Sequence, residues 1–253
     1  MWSDMANKNA PEKWGTDLPV SSDDKTNTPA KSSADEIDAF VAQVRDMPAP
    51  TSRRGRLIFA MDATMSRQPA WDLALRLQAE MFDAVAEIGG LDVQLIYFRG
   101  FEECRASKWV SDAHALKRLM TGVACRGGFT QIRKVLKHAR AEADGGAVSA
   151  LVYVGDCMEE NVDELADTAG QLGLMNVPAF MFQEGDNPVA ATAFKEIARL
   201  TGGAYCRFDA GAADSLRALL QAVAVYAAGG RKALENLGGP GGAGQMLLEQ
   251  LKS

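Results

Sequence analysis

The chain is predicted to fold as a doubly wound α/β domain. Its sheet should be mostly parallel and six-stranded, in the order 3-2-1-4-5-6, with one antiparallel edge strand and helices on both faces. Three observations carry this. From Arg56 onward, short apolar runs alternate with longer amphipathic stretches, the pattern of repeated strand–helix units. The first run, Leu57 to Met61, is continuously apolar, as in a strand covered on both faces. The connection at Arg99-Gly100 is too short for a crossover, so the strand after it must pair antiparallel, at the edge.

In chain order, residues 1–32 are rich in Ser, Asp, Asn, Lys, Thr and Pro and read as a disordered tail. Residues 33–55 read as a short helix and linker: Ser33 and Glu36 form a capping-box pattern, Ile37, Phe40, Val41 and Val44 recur at helical spacing, and Pro48 follows. The domain proper is expected over 56–229. Its first strand is followed by a helix with Ala70, Ala74, Leu77, Met81, Val85 and Ile88 on one face, stopped by Gly89 and Gly90. Val93 to Phe98 is the second strand. Glu102 to Val110 is the third, and its Glu102, Glu103, Arg105 and Lys108 suit an edge that must resist further pairing.

A helix over Ser111 to Met120 comes next, then a helix opened by Thr130 with Ile132, Val135, Leu136 and Ala139 facing inward. Val148 to Val154 is the fourth strand. Asn161 with Glu164 caps the next helix. Pro178 to Phe182 is the fifth strand, and Asn187-Pro188 starts a helix that Gly202-Gly203 ends. Ala204 to Phe208 is the sixth, and Leu216, Leu219, Leu220, Val223 and Ala227 line the closing helix. Residues 230–253 read as a flexible glycine-rich tail carrying a last amphipathic segment, Met246 to Leu251.

Composition narrows the function classes. The 253 residues suffice for one domain with a sizeable core plus tails, and 47% hydrophobic with 24% charged residues is the balance of a soluble globular protein. A net charge of −6 argues against nucleic acid as the main partner. No apolar run reaches membrane-spanning length, and the N-terminus lacks the features of a signal peptide. Cys104, Cys125, Cys157 and Cys206 are scattered without a C-x-x-C pair. They read as reduced thiols, and a cytoplasmic location is expected.

The chemistry concentrates where the first strand ends. Asp62 is the first polar residue beyond the apolar run, and hydroxyls follow at Thr64 and Ser66. Ligands of open α/β sheets bind at the carboxyl ends of the strands. The expected order sets the first and fourth strands side by side at the topological switch point. Asp156 ends the fourth strand, and Thr130 heads the helix leading into it. Two carboxylates and three hydroxyls therefore converge on one crevice. All are hard oxygen donors, suited to a small divalent cation such as Mg²⁺, with a position left for water or a partner's oxygen.

With these residues in place, the stretch from about Arg56 to Gly229 resembles the von Willebrand factor type A domain family. The family's metal-ion-dependent adhesion site is Asp-x-Ser-x-Ser, a distant Thr and a distant Asp. Here it reads as Asp62-Ala-Thr64-Met-Ser66, Thr130 within GGFT, and Asp156 within VYVGD. Thr64 departs from the usual Ser; it keeps the hydroxyl, adds a methyl and stiffens the side chain. The resemblance implies a binding module, not an enzyme. Mg²⁺ or Mn²⁺ at the site would complete its coordination with an Asp or Glu carboxylate of a partner protein. An ATPase or chaperone-like protein is the kind of partner implied, with neither nucleic acid nor membrane.

Two other readings stand beside this one. In the first, the five residues only cap helices and bond one another, on a metal-free scaffold. In the second, the domain is a Mg²⁺-dependent phosphatase-like enzyme. Such phosphatases place Asp-x-Asp-x-Thr after the first strand, and here Thr64 stands where the acid/base carboxylate belongs. His114 and His138 fall on predicted helices away from the crevice. Cys157 adjoins the site, either as a redox-sensitive thiol or as an inert buried one. Glu159 and Glu160 flank it and are expected as solvated charges at the start of the following helix.

Overall fold

The computed structural model describes residues 3–4, 39, 54–86, 89–208 and 213–237. The strands are β1 (Ser3–Asp4), β2 (Gly55–Asp62), β3 (Leu91–Arg99), β4 (Glu103–Ala106), β5 (Ala150–Gly155), β6 (Ala179–Glu184) and β7 (Ala204–Phe208). The helices are α1 (Gln68–Asp83), α2 (Ala113–Thr121), α3 (Ile132–Gly145), α4 (Val162–Leu174), α5 (Pro188–Thr201) and α6 (Ala213–Leu237).

The sheet order is β1-β4-β3-β2-β5-β6-β7. Without β1 this is the expected 3-2-1-4-5-6, parallel throughout except for β4, which pairs antiparallel with β3. β2 lies between β3 and β5, with Phe59 level with Leu95 on one side and Val152 on the other.

Alternation along β2 explains the layers. Leu57, Phe59 and Met61 join a core cluster with Trp71, Leu77 and Met81 of α1, Leu116 and Met120 of α2, and Leu216 to Ala228 of α6. Ile58 and Ala60 point the other way, into a cluster with Val135 and Leu136 of α3, Leu165 and Leu172 of α4, and Phe194 and Ile197 of α5. The helices after β2 and after β5 thus cover opposite faces, which opens the crevice between these two strands. At the far end of β2, Gly55 lies against the Ala227 backbone, where a Cβ would stand 2.3 Å from the carbonyl oxygen.

Three details depart from expectation. The antiparallel strand was expected over Glu102 to Val110, but its ladder stops at Ala106. There the Ser107 hydroxyl takes the Leu95 N–H at 3.0 Å, in the place of a backbone carbonyl. Pairing resumes only as a single bridge between Val93 and Val110. Ser3 and Asp4 lie in the expected tail, yet pair antiparallel with Ala106 and Arg105 and so cover the outer side of β4. The closing helix breaks at Gly230 (φ 66°), next to its expected end at Gly229, and a further helical stretch runs on to Leu237 within the expected tail. The rest of the expected N-terminal tail, most of the 33–55 helix and linker, and residues 238–253 fall outside the described residues. No helix among the described residues is long and apolar enough to cross a membrane.

Candidate metal centre

The last residue of β2 is Asp62, fully buried because β3 and β5 flank it and helices cover both faces. The chain leaves the strand through Ala63, whose N–H donates to the Phe98 carbonyl at 2.9 Å and whose own carbonyl accepts from Arg126 N–H at 2.9 Å. Asp62 Oδ1 accepts the Thr64 N–H at 2.7 Å, which closes a tight turn and carries the chain into a single 3₁₀ turn, Met65–Arg67. Thr64 Oγ1 lies 3.5 Å from Ser66 Oγ, and Ser66 donates its hydroxyl to Asp156 Oδ2 at 2.9 Å. Asp62, Thr64, Ser66 and Asp156 therefore form one linked group across the β2–β5 crevice.

Thr130 is buried nearby but tied differently. Its N–H donates to the Glu159 carboxylate at 3.0 Å, and its Oγ1 accepts the Glu159 N–H at 3.1 Å. No hydrogen bond among the described residues joins it to the other four. The helix it was expected to open starts at Ile132, and Gln131, at the N-cap position, makes no side-chain cap. The cap comes from Glu160, whose carboxylate accepts from the N–H groups of Ile132 and Arg133. Glu160 is thus not a solvated charge of its own helix, while Glu159 stays exposed as expected and also accepts the Thr130 N–H. Both staple the loop after β5 to the start of α3, and burial raises the Glu160 carboxyl pKa against the pull of these N–H groups. Asn161 caps α4 as expected, accepting from Asp163 and Glu164 N–H.

Burial dominates the electrostatics. It pushes the Asp62 carboxyl up to about 6, opposed by the hydrogen bonds from Thr64. Burial, then the neighbouring carboxylates, pushes Cys157 up to about 12 and Cys125 up to about 11, so both are protonated thiols at neutral pH. None of the four cysteines is in a disulfide. Tyr153 lies beneath the site with its hydroxyl buried and unpaired. Its phenol needs Gly155, where a Cβ would stand 2.6 Å from the oxygen.

One residue at the site escaped the sequence reading. Arg67 is 2% exposed, and its Nη1 lies 3.6 Å from Asp156 Oδ2 and pairs also with Glu184 at the end of β6. The cue was its place, directly after Ser66 at the carboxyl edge of the sheet. A lone arginine in a loop normally counts as surface.

The donor set fits a hard divalent cation. Asp62 Oδ2 and Asp156 Oδ1 are buried acceptors with no partner, an arrangement that costs free energy unless a cation or donor joins them. Oxygens of both carboxylates and the Cys157 sulfur lie within 4.8 Å of one another. Asp62, Asp156, Thr64 and Ser66 would hold the ion. His114 and His138 take no part; His138 Nε2 bonds Gln94 Oε1 at 2.9 Å on the outer half of the sheet.

No protein-family model and no curated protein matches the chain. Solved structures do. A von Willebrand factor type A protein from Catenulispora acidiphila is 15% identical, with a TM-score of 0.53 over 70% of this chain and 47% of its own. The VWA domain of SpRpn10 is 12% identical, with a TM-score of 0.52 over 70% of this chain and 97% of its own. An aerotolerance-related membrane protein from Bacteroides fragilis is 17% identical, with a TM-score of 0.52 over 64% of this chain and 94% of its own. At these identities the likeness establishes the fold, which is von Willebrand factor type A-like.

Proposed function

On this fold, we propose that the chain is a metal-dependent protein-binding module and not an enzyme. Mg²⁺ or Mn²⁺ sits among Asp62, Thr64, Ser66, Thr130 and Asp156 and bridges to an Asp or Glu carboxylate of a partner protein met in the cytoplasm. An ATPase or chaperone-like protein is the class of partner. The observation that carries the reading is the pair of buried, unpartnered acceptors, Asp62 Oδ2 and Asp156 Oδ1, on neighbouring parallel strands. A bound cation satisfies both and relieves the cost of keeping Asp62 ionised in a dry site. Titration calorimetry with Mg²⁺ and Mn²⁺ on the wild type and on Asp62→Ala tests it: binding in the first and none in the second is expected, and equal binding by both sinks the reading.

Arg67 favours a second reading, the metal-free scaffold. Its guanidinium already offers positive charge to Asp156 and Glu184. On that reading no divalent ion binds, and the motif residues serve only as hydrogen-bonded caps.

A further inference from the structure

We propose that the rim of this site docks a partner segment in which an Asp or Glu stands directly beside a large apolar side chain. The carboxylate goes to the site, and the apolar group goes onto the ring pair of Phe101 and Phe129. This rests on the metal-bridged reading above and specifies its partner.

The described residues expose six large apolar side chains: Met65, Phe101, Phe129, Val162, Leu174 and Val189. All but Leu174 lie at the carboxyl edge of the sheet: Met65, Phe101, Val162 and Val189 follow the ends of β2, β3, β5 and β6, and Phe129 is bonded to Gly100 in the β3–β4 turn. Met65, 67% exposed, stands between the two hydroxyls of the motif, and Phe129, 54% exposed, directly precedes Thr130. Phe101, 75% exposed at the β3–β4 turn, meets Phe129 edge to face with ring centroids 5.4 Å apart. Single exposed apolar residues need no explanation, but a group of them around one polar crevice marks an interaction surface.

The two rings are held in advance. Phe129 N–H donates to the Gly100 carbonyl at 3.1 Å. Gly128 lies flush on Gly100, where a Cβ would stand 2.0 Å from that oxygen, and Gly100 itself has φ +63°. Two loops are thus clamped backbone to backbone, and aromatic groups fixed before binding cost little ordering entropy when a partner arrives. Buried aromatic anchors also supply a large share of interface energy.

Charge selects the partner's sign. Arg126 is exposed, and its backbone is tied to Ala63, the residue after Asp62. Its side chain makes no ion pair or hydrogen bond among the described residues. On a chain of net charge −6 this is a local positive group beside the site, and it draws an acidic segment that the rest of the surface repels.

The test is selection of displayed random heptapeptides on the full chain, in Mg²⁺ and in EDTA, with the wild type, Phe101→Ser/Phe129→Ser and Arg126→Glu. Melting temperature and Mg²⁺ calorimetry of each variant report the fold and the metal site separately. The wild type in Mg²⁺ should select peptides that set Asp or Glu next to Phe, Leu, Ile or Met. A synthetic peptide of that sequence should bind each variant about tenfold or more weakly while Mg²⁺ binding is unchanged. Acidic peptides without apolar neighbours, or equal binding by the double variant, overturn the docking proposal and leave the metal reading standing. Apolar peptides selected equally well in EDTA overturn both, as does the absence of any selection. Concentration-dependent self-association of the wild type that Phe101→Ser/Phe129→Ser abolishes would show a second copy on this face, and the peptide proposal falls.

Discussion

Ser66 donates its hydroxyl to Asp156 across 2.9 Å, joining the turn after β2 to the end of β5. This bond ties the two halves of the site together. Ser66→Ala removes a donor from a half-buried carboxylate and should cost about 1 kcal/mol in urea unfolding without metal. It also removes a hydroxyl ligand, so calorimetry should show Mg²⁺ affinity falling by roughly tenfold or more. Unchanged Mg²⁺ affinity would take Ser66 out of the donor set.

Arg67 supplies the second prediction. Replacing it with Met leaves Asp156 and Glu184 facing each other without their cation, and breaking a buried pair from one side typically costs about 3–5 kcal/mol. The loss should be largest in EDTA and partly recovered in Mg²⁺, because a metal ion at Asp156 takes over the neutralising role. Thermal melts with and without Mg²⁺ read this directly. A variant equally destabilised in both conditions would argue that no ion reaches Asp156.

Gly155 bears on the floor of the site. Gly155→Ala drives a methyl into the Tyr153 hydroxyl, and overpacking of this kind costs about 1–3 kcal/mol. Gly155→Ala combined with Tyr153→Phe removes the oxygen but leaves ring carbons at 2.8 and 2.9 Å from the added Cβ, so only a small part of that loss should be recovered in denaturant unfolding. Full recovery would place the whole clash on the hydroxyl.

His138 sets a pH dependence distinct from the site. Burial lowers its pKa below the ordinary value of 6.5, against a weaker opposing pull from Glu142. A histidine with a depressed folded-state pKa binds fewer protons folded than unfolded, so its contribution is full above 6.5 and is lost as pH falls toward the folded value. His138→Gln keeps a polar partner for Gln94 and should lose less stability than the wild type between pH 7.5 and 5.5. Parallel pH dependences of melting temperature would show that His138 is not the group titrating.

Most of the fold was legible because the strand runs are buried on both faces, so that Leu57 to Met61 and Ala150 to Val154 carry only apolar or aromatic side chains. Caps were legible where the bond is local, as at Asn161 and Asn187. The cap of α3 was not, because its donor is Glu160, beyond an entire helix and strand, and no spacing rule reaches that far. β1 has two residues, too few for any periodicity. The end of β4 was set by one serine hydroxyl standing in for a carbonyl, which apolar patterning does not register. In the site, Asp62, Thr64, Ser66 and Asp156 were legible as residues at strand ends, and the structure links them by hydrogen bonds. Arg67 was not, because burial of a guanidinium depends on Asp156 and Glu184, which only the sheet order brings to it.

The reach of the Ser66–Asp156 bond also governs when the site exists at all. Ninety residues separate its partners. A growing chain that has made β2, β3 and β4 already contains Asp62, Thr64 and Ser66, but β5 must be synthesised and slotted beside β2 before the second carboxylate arrives. Such long-range parallel pairing closes a large loop and forms slowly. On the proposed reading, ion capture would belong to the finished sheet, and an unfinished chain on the ribosome would offer a prospective partner no completed carboxylate receptor.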